Sequence, residues 1–152
     1  MGGELSTRTD LIPTDAQITE LLERVGDGPV VMLNLNRYRE HAQYAPGHPD
    51  ADAGLGGRDA YLRYAVVALD AIARLGGRVL WHTDARMVAV GTPDDAFDEV
   101  VAVWYPDTGA FLRLVEQPGY VEAHAHRDAA LERAVVIATA GEPTANLTPP
   151  FG

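Results

Sequence analysis

His126 and Arg127 are the adjacent residues of this sequence whose types best suit acid–base chemistry. A histidine can move a proton near neutral pH, and a neighbouring guanidinium can hold a carboxylate or an enolate oxygen. Two such residues are equally typical of the C-terminal end of a helix, where cations offset the helix dipole. The residue types by themselves leave both interpretations open.

Other histidines and carboxylates lie close together in the sequence, but their spacing matches no metal motif. His124 and His126 are two positions apart, so on a helix they point to different sides and cannot bind one ion. The remaining candidates share one predicted loop: His41, His48, Asp50 and Asp52. Their spacing fits neither a zinc nor a calcium motif. We therefore predict a solvated acidic loop and no metal site.

A strand predicted at residues 30–37, with the sequence VVMLNLNR, is a reasonable wall for a ligand pocket. Its first half is apolar on both faces, and two amides, Asn34 and Asn36, follow on one face. Buried amides need hydrogen-bond partners, here a ligand oxygen or a neighbouring strand end. We predict that Asn34, which lies further inside, orients a ligand. Arg37 and Tyr38 follow at the strand mouth as candidate ligand-binding residues, with Arg37 as either an anion clamp or a surface ion pair.

Aromatic residues end two other predicted strands. Successive strand residues face opposite ways, so one of Trp81 and His82, and one of Trp104 and Tyr105, can line a pocket. We take Trp81, His82 and Tyr105 as candidate ligand-binding residues, although most such aromatics belong to a core. A lone His82 is too little for a haem site.

The composition excludes several classes of function. The chain of 152 residues has a net charge of −10, which opposes nucleic-acid binding because that depends on neutralising phosphates. It has no Cys and all twelve basic residues are Arg, which excludes a thiolate nucleophile, a Schiff-base lysine and a P-loop. There is no apolar run long enough for a membrane span, and residues 1–12 lack a signal-peptide pattern. We expect a cytoplasmic protein without cofactor, nucleic-acid partner or membrane partner.

The order of predicted elements indicates a single α+β domain at residues 14–140, between a loose N-terminal arm at 1–13 and a C-terminal tail at 141–152. Thr14 and Gln17 form the pattern of a capping box and begin a helix at 14–25. The other elements are a strand at 30–37, a long loop at 38–57, a helix at 58–75, strands at 79–83, 86–90 and 99–105, a helix after Pro106, helical turns at 120–127 and a strand at 134–139. We interpret this as the ferredoxin-like βαββαβ order behind an extra N-terminal helix. The long loop is expected to be a lid or a dimer arm.

The strands at 30–37 and 99–105 are apolar on both faces, although the helices of such a fold cover only one face of the sheet. The chain has no spare elements for the second face. We therefore predict a homodimer in which two sheets pack face to face and close a dimeric α/β barrel.

Several segments resemble the DUF1330 family. They are residues 29–38 (PVVMLNLNRY), 57–64 (GRDAYLRY), 104–106 (WYP) leading into 110–112 (AFL), and 118–133 (PGYVEAHAHRDAALER). The last is similar to the family's PEYQ…HRxAGLE segment. It departs where Gly119 replaces the usual acid and Ala130 replaces the usual glycine.

The resemblance implies membership of the dimeric α/β barrels, which include cofactor-free monooxygenases, haem proteins, muconolactone-type isomerases and polyketide cyclases. It implies a homodimer with a small-molecule pocket between sheet and helices in each protomer. It implies no particular reaction, because one fold hosts many functions. It does favour a functional role for His126 and Arg127.

The leading hypothesis is a cofactor-independent enzyme that transfers protons on a carbonyl-containing metabolite, aromatic or polyketide-like. His126 would act as general base or acid, Arg127 would hold the oxyanion or carboxylate, and Asn34 would orient the ligand. Two alternatives stay open: a non-catalytic metabolite-binding or dimerisation module, and a haem-binding protein.

Overall fold

The computed structural model describes residue 6 and residues 8–141 of the chain. Its helices are α1 (Asp15–Arg24), α2 (Gly57–Arg74), α3 (Thr108–Leu112) and α4 (Tyr120–Ala130), and its strands are β1 (Val30–Tyr38), β2 (Arg78–Asp84), β3 (Glu99–Tyr105) and β4 (Leu131–Ala140). The capping box at the start of α1 is confirmed. Thr14 Oγ1 accepts from the Gln17 backbone N–H at 3.1 Å, and Gln17 Oε1 accepts from the Thr14 N–H at 2.9 Å.

The four strands form one antiparallel sheet in the order β2-β3-β1-β4. With α2 connecting β1 to β2 and α4 leading into β4, this is the ferredoxin-like arrangement behind the extra helix α1, so the predicted fold class is confirmed. One core joins the sheet to α2 and α4, and Val30, Met32 and Val103 contribute to it from the strands. None of the helices in the described ranges is long and apolar enough to cross a bilayer.

The strand predicted at residues 86–90 is wrong, because this segment runs outside the sheet between β2 and β3. Met87 and Val90 are 78% and 96% exposed. The Ala85 N–H donates to the Asp98 carbonyl at 2.9 Å and closes the β2–β3 connection before this segment can pair. A short apolar run cannot reveal whether a neighbouring strand is available to pair with it.

The described part of the N-terminal arm is packed, which corrects the prediction that the arm is loose. Ser6 Oγ donates to Asp128 Oδ1 at 2.6 Å, and Arg8 donates to the carbonyls of Leu131 and Glu132. Leu11 is buried against the start of β4. Apart from Gly141, the predicted tail lies outside the described residues.

The two faces of the sheet differ. Even-numbered β1 residues such as Val30 and Met32 face the helices and are buried. The opposite face, which we name the outer face, carries Val31, Leu33, Leu35, Trp81, Val100, Trp104, Val135 and Ile137. Trp81 and Ile137 are 48% and 44% exposed there. The outer face is therefore apolar without being buried, as the sequence predicts.

Candidate functional site

His126 lies on α4, and its side chain faces the loop between β1 and α2. The Tyr44 hydroxyl is 2.7 Å from His126 Nδ1, and Asp50 Oδ2 is 3.8 Å from the same nitrogen. The ring of His48 stacks on Tyr44 at 4.5 Å between centroids and meets the His126 ring edge-on at 5.5 Å. We name this group, with Arg63, the loop site.

Backbone hydrogen bonds place the loop against α4. The N–H groups of Arg39 and Gln43 donate to the carbonyls of Ala130 and Ala129 at 2.8 and 2.9 Å. Gly57 permits this approach, because a Cβ at that position would lie 2.1 Å from the Arg39 carbonyl oxygen and 2.9 Å from that of Ala130. Any larger residue there would push the loop away from the end of α4.

Charges at the loop site are set by Arg63 and by partial burial. The Arg63 guanidinium on α2 forms an ion pair with Asp50 Oδ1 at 2.7 Å, and this contact lowers the pKa of the Asp50 carboxyl. Burial lowers the pKa of His126, with the nearby Asp50 charge acting in the opposite direction. Burial also raises the pKa of the Tyr44 hydroxyl. At neutral pH the His126 imidazole is therefore neutral, the Tyr44 hydroxyl is protonated and the Asp50 carboxylate is ionised.

Arg127 points away from His126 into the interior. It is 8% exposed, lies over the Tyr64 ring at 5.9 Å, and donates from Nη1 to the Leu11 carbonyl at 2.5 Å. Adjacent residues of a helix diverge by about 100°, and here that turn separates the two side chains. The structure does not bring this predicted catalytic pair onto one surface.

Behind α4 lies a second group, which we name the interior cluster: Tyr61, Tyr64, Tyr120, His124 and Arg127. The hydroxyls of Tyr64 and Tyr120 are 3.0 Å apart, and the His124 ring packs against both tyrosines. His124 is 3% exposed, and its Nδ1 has no hydrogen-bond partner. Burial, helped by the Arg127 charge, lowers the pKa of His124 to about 3.

The two strand amides have different partners. Asn34 Nδ2 donates to the carbonyls of Met32 and Val101 at 3.1 and 3.3 Å, so its donors serve the sheet itself. Asn36 is 2% exposed, and its Nδ2 has no hydrogen-bond partner of good geometry. The Asn36 amide nevertheless lies close to the Tyr61 hydroxyl, where it partly opposes the rise that burial causes in the pKa of Tyr61. Asn34 lies apart from His126, on the sheet rather than at the loop.

Tyr38 and His82, both predicted to bind a ligand, meet through Glu99 where β1 ends and β3 begins. The Tyr38 hydroxyl contacts Glu99 Oε2, and His82 Nδ1 is 3.9 Å from Glu99 Oε1. Arg58 lies over the Tyr38 ring at 4.8 Å. Burial, followed by the Glu99 contact, raises the pKa of Tyr38. Neither Glu99 nor Arg58 is among the ligand-binding residues predicted from the sequence.

The other three predicted ligand-binding residues lie elsewhere. Trp81 is on the outer face, and Arg37 donates to backbone carbonyls of the 93–96 segment. Tyr105 is buried in the core with its ring 5.6 Å from that of Phe111. The predicted ligand residues are thus divided among the C-terminal end of β1, the outer face and the core.

An open groove of about 390 Å³ runs beside the loop. Its lining residues are Tyr38, Arg39, Glu40, His41, Gln43 and Glu132. Of the predicted ligand-binding residues it includes Tyr38, and His126 is not part of its lining. It is therefore a surface next to the loop site and not a pocket around the imidazole.

Sequence reasoning missed Tyr44, Asp50 and Arg63 as partners of His126. They come from a loop and a helix that lie far from residue 126 in the chain. The sequence signal for them was weak: a long loop containing aromatic residues, which favours an ordered structure over disorder.

Comparison with known proteins places the chain in a family. The model of DUF1330, a domain of unknown function, matches residues 52–140. The protein RPA0582 of Rhodopseudomonas palustris, itself of unknown function, is 32% identical over 87% of this chain and 96% of its own, with a TM-score of 0.71. Its methylated form is 33% identical over 84% and 91%, with a TM-score of 0.72.

A weaker likeness exists to SnoaB, a cofactor-independent oxygenase from Streptomyces nogalater. It is 22% identical over 81% of this chain and 98% of its own, with a TM-score of 0.37. No curated protein matches the sequence. The family model and the resemblance to RPA0582 together show that this chain belongs to the DUF1330 family.

Proposed function

We propose that this protein is a homodimeric, cofactor-independent enzyme that transfers a proton on a carbonyl-containing small molecule, with His126 as the general base or acid. The observation that carries the proposal is the 2.7 Å contact between the Tyr44 hydroxyl and Nδ1 of the half-buried His126. A base needs a defined tautomer and a fixed ring orientation, and a hydrogen bond to one ring nitrogen supplies both.

The proposed step uses His126 Nε2. With Nδ1–H directed at the Tyr44 oxygen, the lone pair of Nε2 is free to accept a proton from the carbon next to the substrate carbonyl. The C–H bond breaks, and its electron pair moves to the carbonyl oxygen as an enolate. Asp50 Oδ2, 3.8 Å from Nδ1, stabilises the imidazolium that forms. Returning the proton to another carbon completes an isomerisation. In a cyclisation the enolate carbon instead attacks a second carbonyl of the same molecule, and the proton goes to the alkoxide that forms.

We assign Arg127 and Asn34 roles that differ from those suggested by the sequence. To hold an oxyanion, Arg127 would have to release the Leu11 carbonyl and leave the Tyr64 ring. We therefore propose that it acts as a positioning residue, which anchors α4 while His126 faces the loop. The hydrogen bonds of Asn34 to Met32 and Val101 support a similar role for it in the sheet.

The homodimer is supported by the outer face. Trp81 and Ile137 expose about half of their surface there, beside the apolar side chains of Leu33 and Val100. An exposed apolar patch of this kind is a typical interaction surface. A second copy has the matching patch and would cover it by packing sheet against sheet.

The test is solvent proton exchange on simple benzo-fused cyclic ketones. We would incubate 2-tetralone and 1-indanone with the protein in D₂O and follow loss of the α-proton NMR signals. The unmodified protein should accelerate exchange, His126→Ala should abolish the acceleration, and the control His41→Ala should retain it. Equal acceleration by His126→Ala, or none by the unmodified protein on these ketones, would contradict the proposal. Light scattering on the same samples should give twice the chain mass.

A second candidate is a non-catalytic module, favoured by the filled interior. The Tyr64–Tyr120 contact occupies the space between sheet and helices in which the family resemblance implies a pocket. In that case the ketones would show no accelerated exchange, while the dimer would persist.

A further inference from the structure

We infer that His48, Asp50 and His126 form a binding site for a divalent transition-metal cation such as Zn²⁺, which competes with the proton for His126. Each residue offers one ligand atom, and these atoms lie within 4.8 Å of one another. All three side chains are half-buried. His126 comes from α4 and the other two from the loop, so the cluster is a product of the fold.

The donor set suits this class of cation. Two imidazoles and one carboxylate are the three protein ligands of many zinc sites that keep an open fourth position. Imidazole also binds copper, nickel and iron, and calcium prefers oxygen ligands, so a first-row transition metal or zinc fits best. Binding requires neutral imidazoles and an ionised carboxylate, so it should weaken as the pH falls.

The cluster is nearly preassembled. Ligand atoms about 2.0–2.1 Å from a tetrahedral ion lie about 3.3 Å apart. The atoms at the site are already 3.8 Å apart between His126 Nδ1 and Asp50 Oδ2, and within 4.8 Å overall. A contraction of at most about 1.5 Å, within the reach of side-chain rotation, would complete the coordination.

Neighbouring groups both support and oppose the ion. Arg63 binds Asp50 Oδ1 and leaves Oδ2 turned toward His126, which orients the ligand, but its positive charge repels a cation. The ion would also displace the Tyr44 hydroxyl from Nδ1, or take that hydroxyl as a fourth ligand. His48 Nδ1 accepts a hydrogen bond from the Asp50 backbone N–H at 3.0 Å. This bond would be lost if His48 bound the ion through Nδ1. It would also be lost if His48 bound through Nε2, because the ring proton would then move to Nδ1.

The ion would regulate the proposed proton transfer. A cation bound at Nδ1 leaves the ring proton on Nε2, so His126 has no lone pair with which to accept a substrate proton. Zn²⁺ should therefore inhibit the enzyme. This consequence rests on the proposed function, whereas cation binding itself does not.

The experiment is Zn²⁺ binding to the untagged full chain by calorimetry, with the visible spectrum of bound Co²⁺ as the geometric readout. We expect one ion per chain, and at least about 10-fold weaker binding in each of His48→Ala, Asp50→Asn and His126→Ala. The matched control is His41→Ala, which removes an exposed histidine of the same loop. Circular dichroism without metal would show that each variant is folded.

Binding that is unchanged in His48→Ala and Asp50→Asn, or that His41→Ala weakens equally, would overturn the inference and indicate adventitious surface binding. Absence of binding to the unmodified chain would overturn it as well. Because no substrate is needed, the two proposals fail separately. Zn²⁺ binding without ketone exchange removes the proposed function alone, and exchange without Zn²⁺ binding removes the metal site alone.

Discussion

Two histidines of α4, His124 and His126, lie two positions apart and in opposite environments. His124 is buried against Tyr64 and Tyr120, and its pKa is lowered to about 3, so it stays neutral at any physiological pH. His126 is half-buried beside the Asp50 carboxylate, which partly offsets the effect of burial on its pKa. Full burial keeps a histidine neutral and makes it a packing residue, whereas partial burial beside a carboxylate keeps proton transfer accessible.

The largest expected effect is on stability, and it distinguishes Arg127 of the interior cluster from Arg63 of the loop site. Arg127→Met removes the buried hydrogen bond to Leu11 and leaves that carbonyl without a partner, so we expect the free energy of unfolding to fall by about 2–3 kcal/mol. Arg63→Met breaks a partly exposed ion pair with Asp50 and should lower the free energy of unfolding by much less, because solvent screens such a pair. Urea denaturation of both variants measures the difference. Equal losses would mean that the interior cluster is no more important to stability than the loop site.

The next effect is the pH dependence of stability that His124 causes. In the unfolded chain His124 takes up a proton near its usual pKa of 6.5, whereas the folded state does so only near pH 3. The stabilisation is therefore complete above pH 6.5 and is lost as the pH falls toward 3, by up to about 1.4 kcal/mol per pH unit.

Replacing His124 with Leu should flatten this slope by that amount between pH 6 and pH 5, which urea denaturation at each pH can measure. His41→Leu, on the exposed loop surface, is the control and should keep the slope of the unmodified protein. A slope unchanged by His124→Leu would show that the interior histidine does not hold its neutral form as the structure implies.

The smallest effect concerns the His126 pKa itself. Removing the negative charge with Asp50→Asn should lower the pKa of His126 further, because burial then acts without an opposing carboxylate. The ring-proton NMR shifts of His126, followed against pH in both proteins, measure the change, while the His124 signals should not move between pH 5 and pH 8. An upward change would mean that Asp50 is not the group that supports a charged imidazole.

Much of the fold was predictable because its signals are local. The Thr14–Gln17 capping box, the helical spacing of apolar residues in α2 and the continuous apolar run of β1 each involve residues only a few positions apart. The same local reasoning failed at residues 86–90, where an apolar run has no neighbouring strand with which to pair. It also took the residues near Leu11 as loose, since their packing partners lie in α4 and β4.

The candidate site was predictable only in part. Sequence reasoning selected His126, but it assigned Arg127 to the same surface and took His48 and Asp50 for solvated loop residues. Helical geometry turns Arg127 inward, and the loop brings His48 and Asp50 to His126. The spacing of residues along the loop carries no trace of this contact, because one member of the cluster lies in α4.

Local signals in the amino-acid sequence specify the class of fold, most of its elements and the apolar character of both sheet faces. These properties follow from capping, periodicity and composition, which act over a few residues at a time. The tertiary structure decided which side chains meet. Backbone hydrogen bonds from Arg39 and Gln43 to the end of α4, together with the close approach at Gly57, join the loop to His126. Contacts between such distant parts of the chain form only when the whole domain closes around its core.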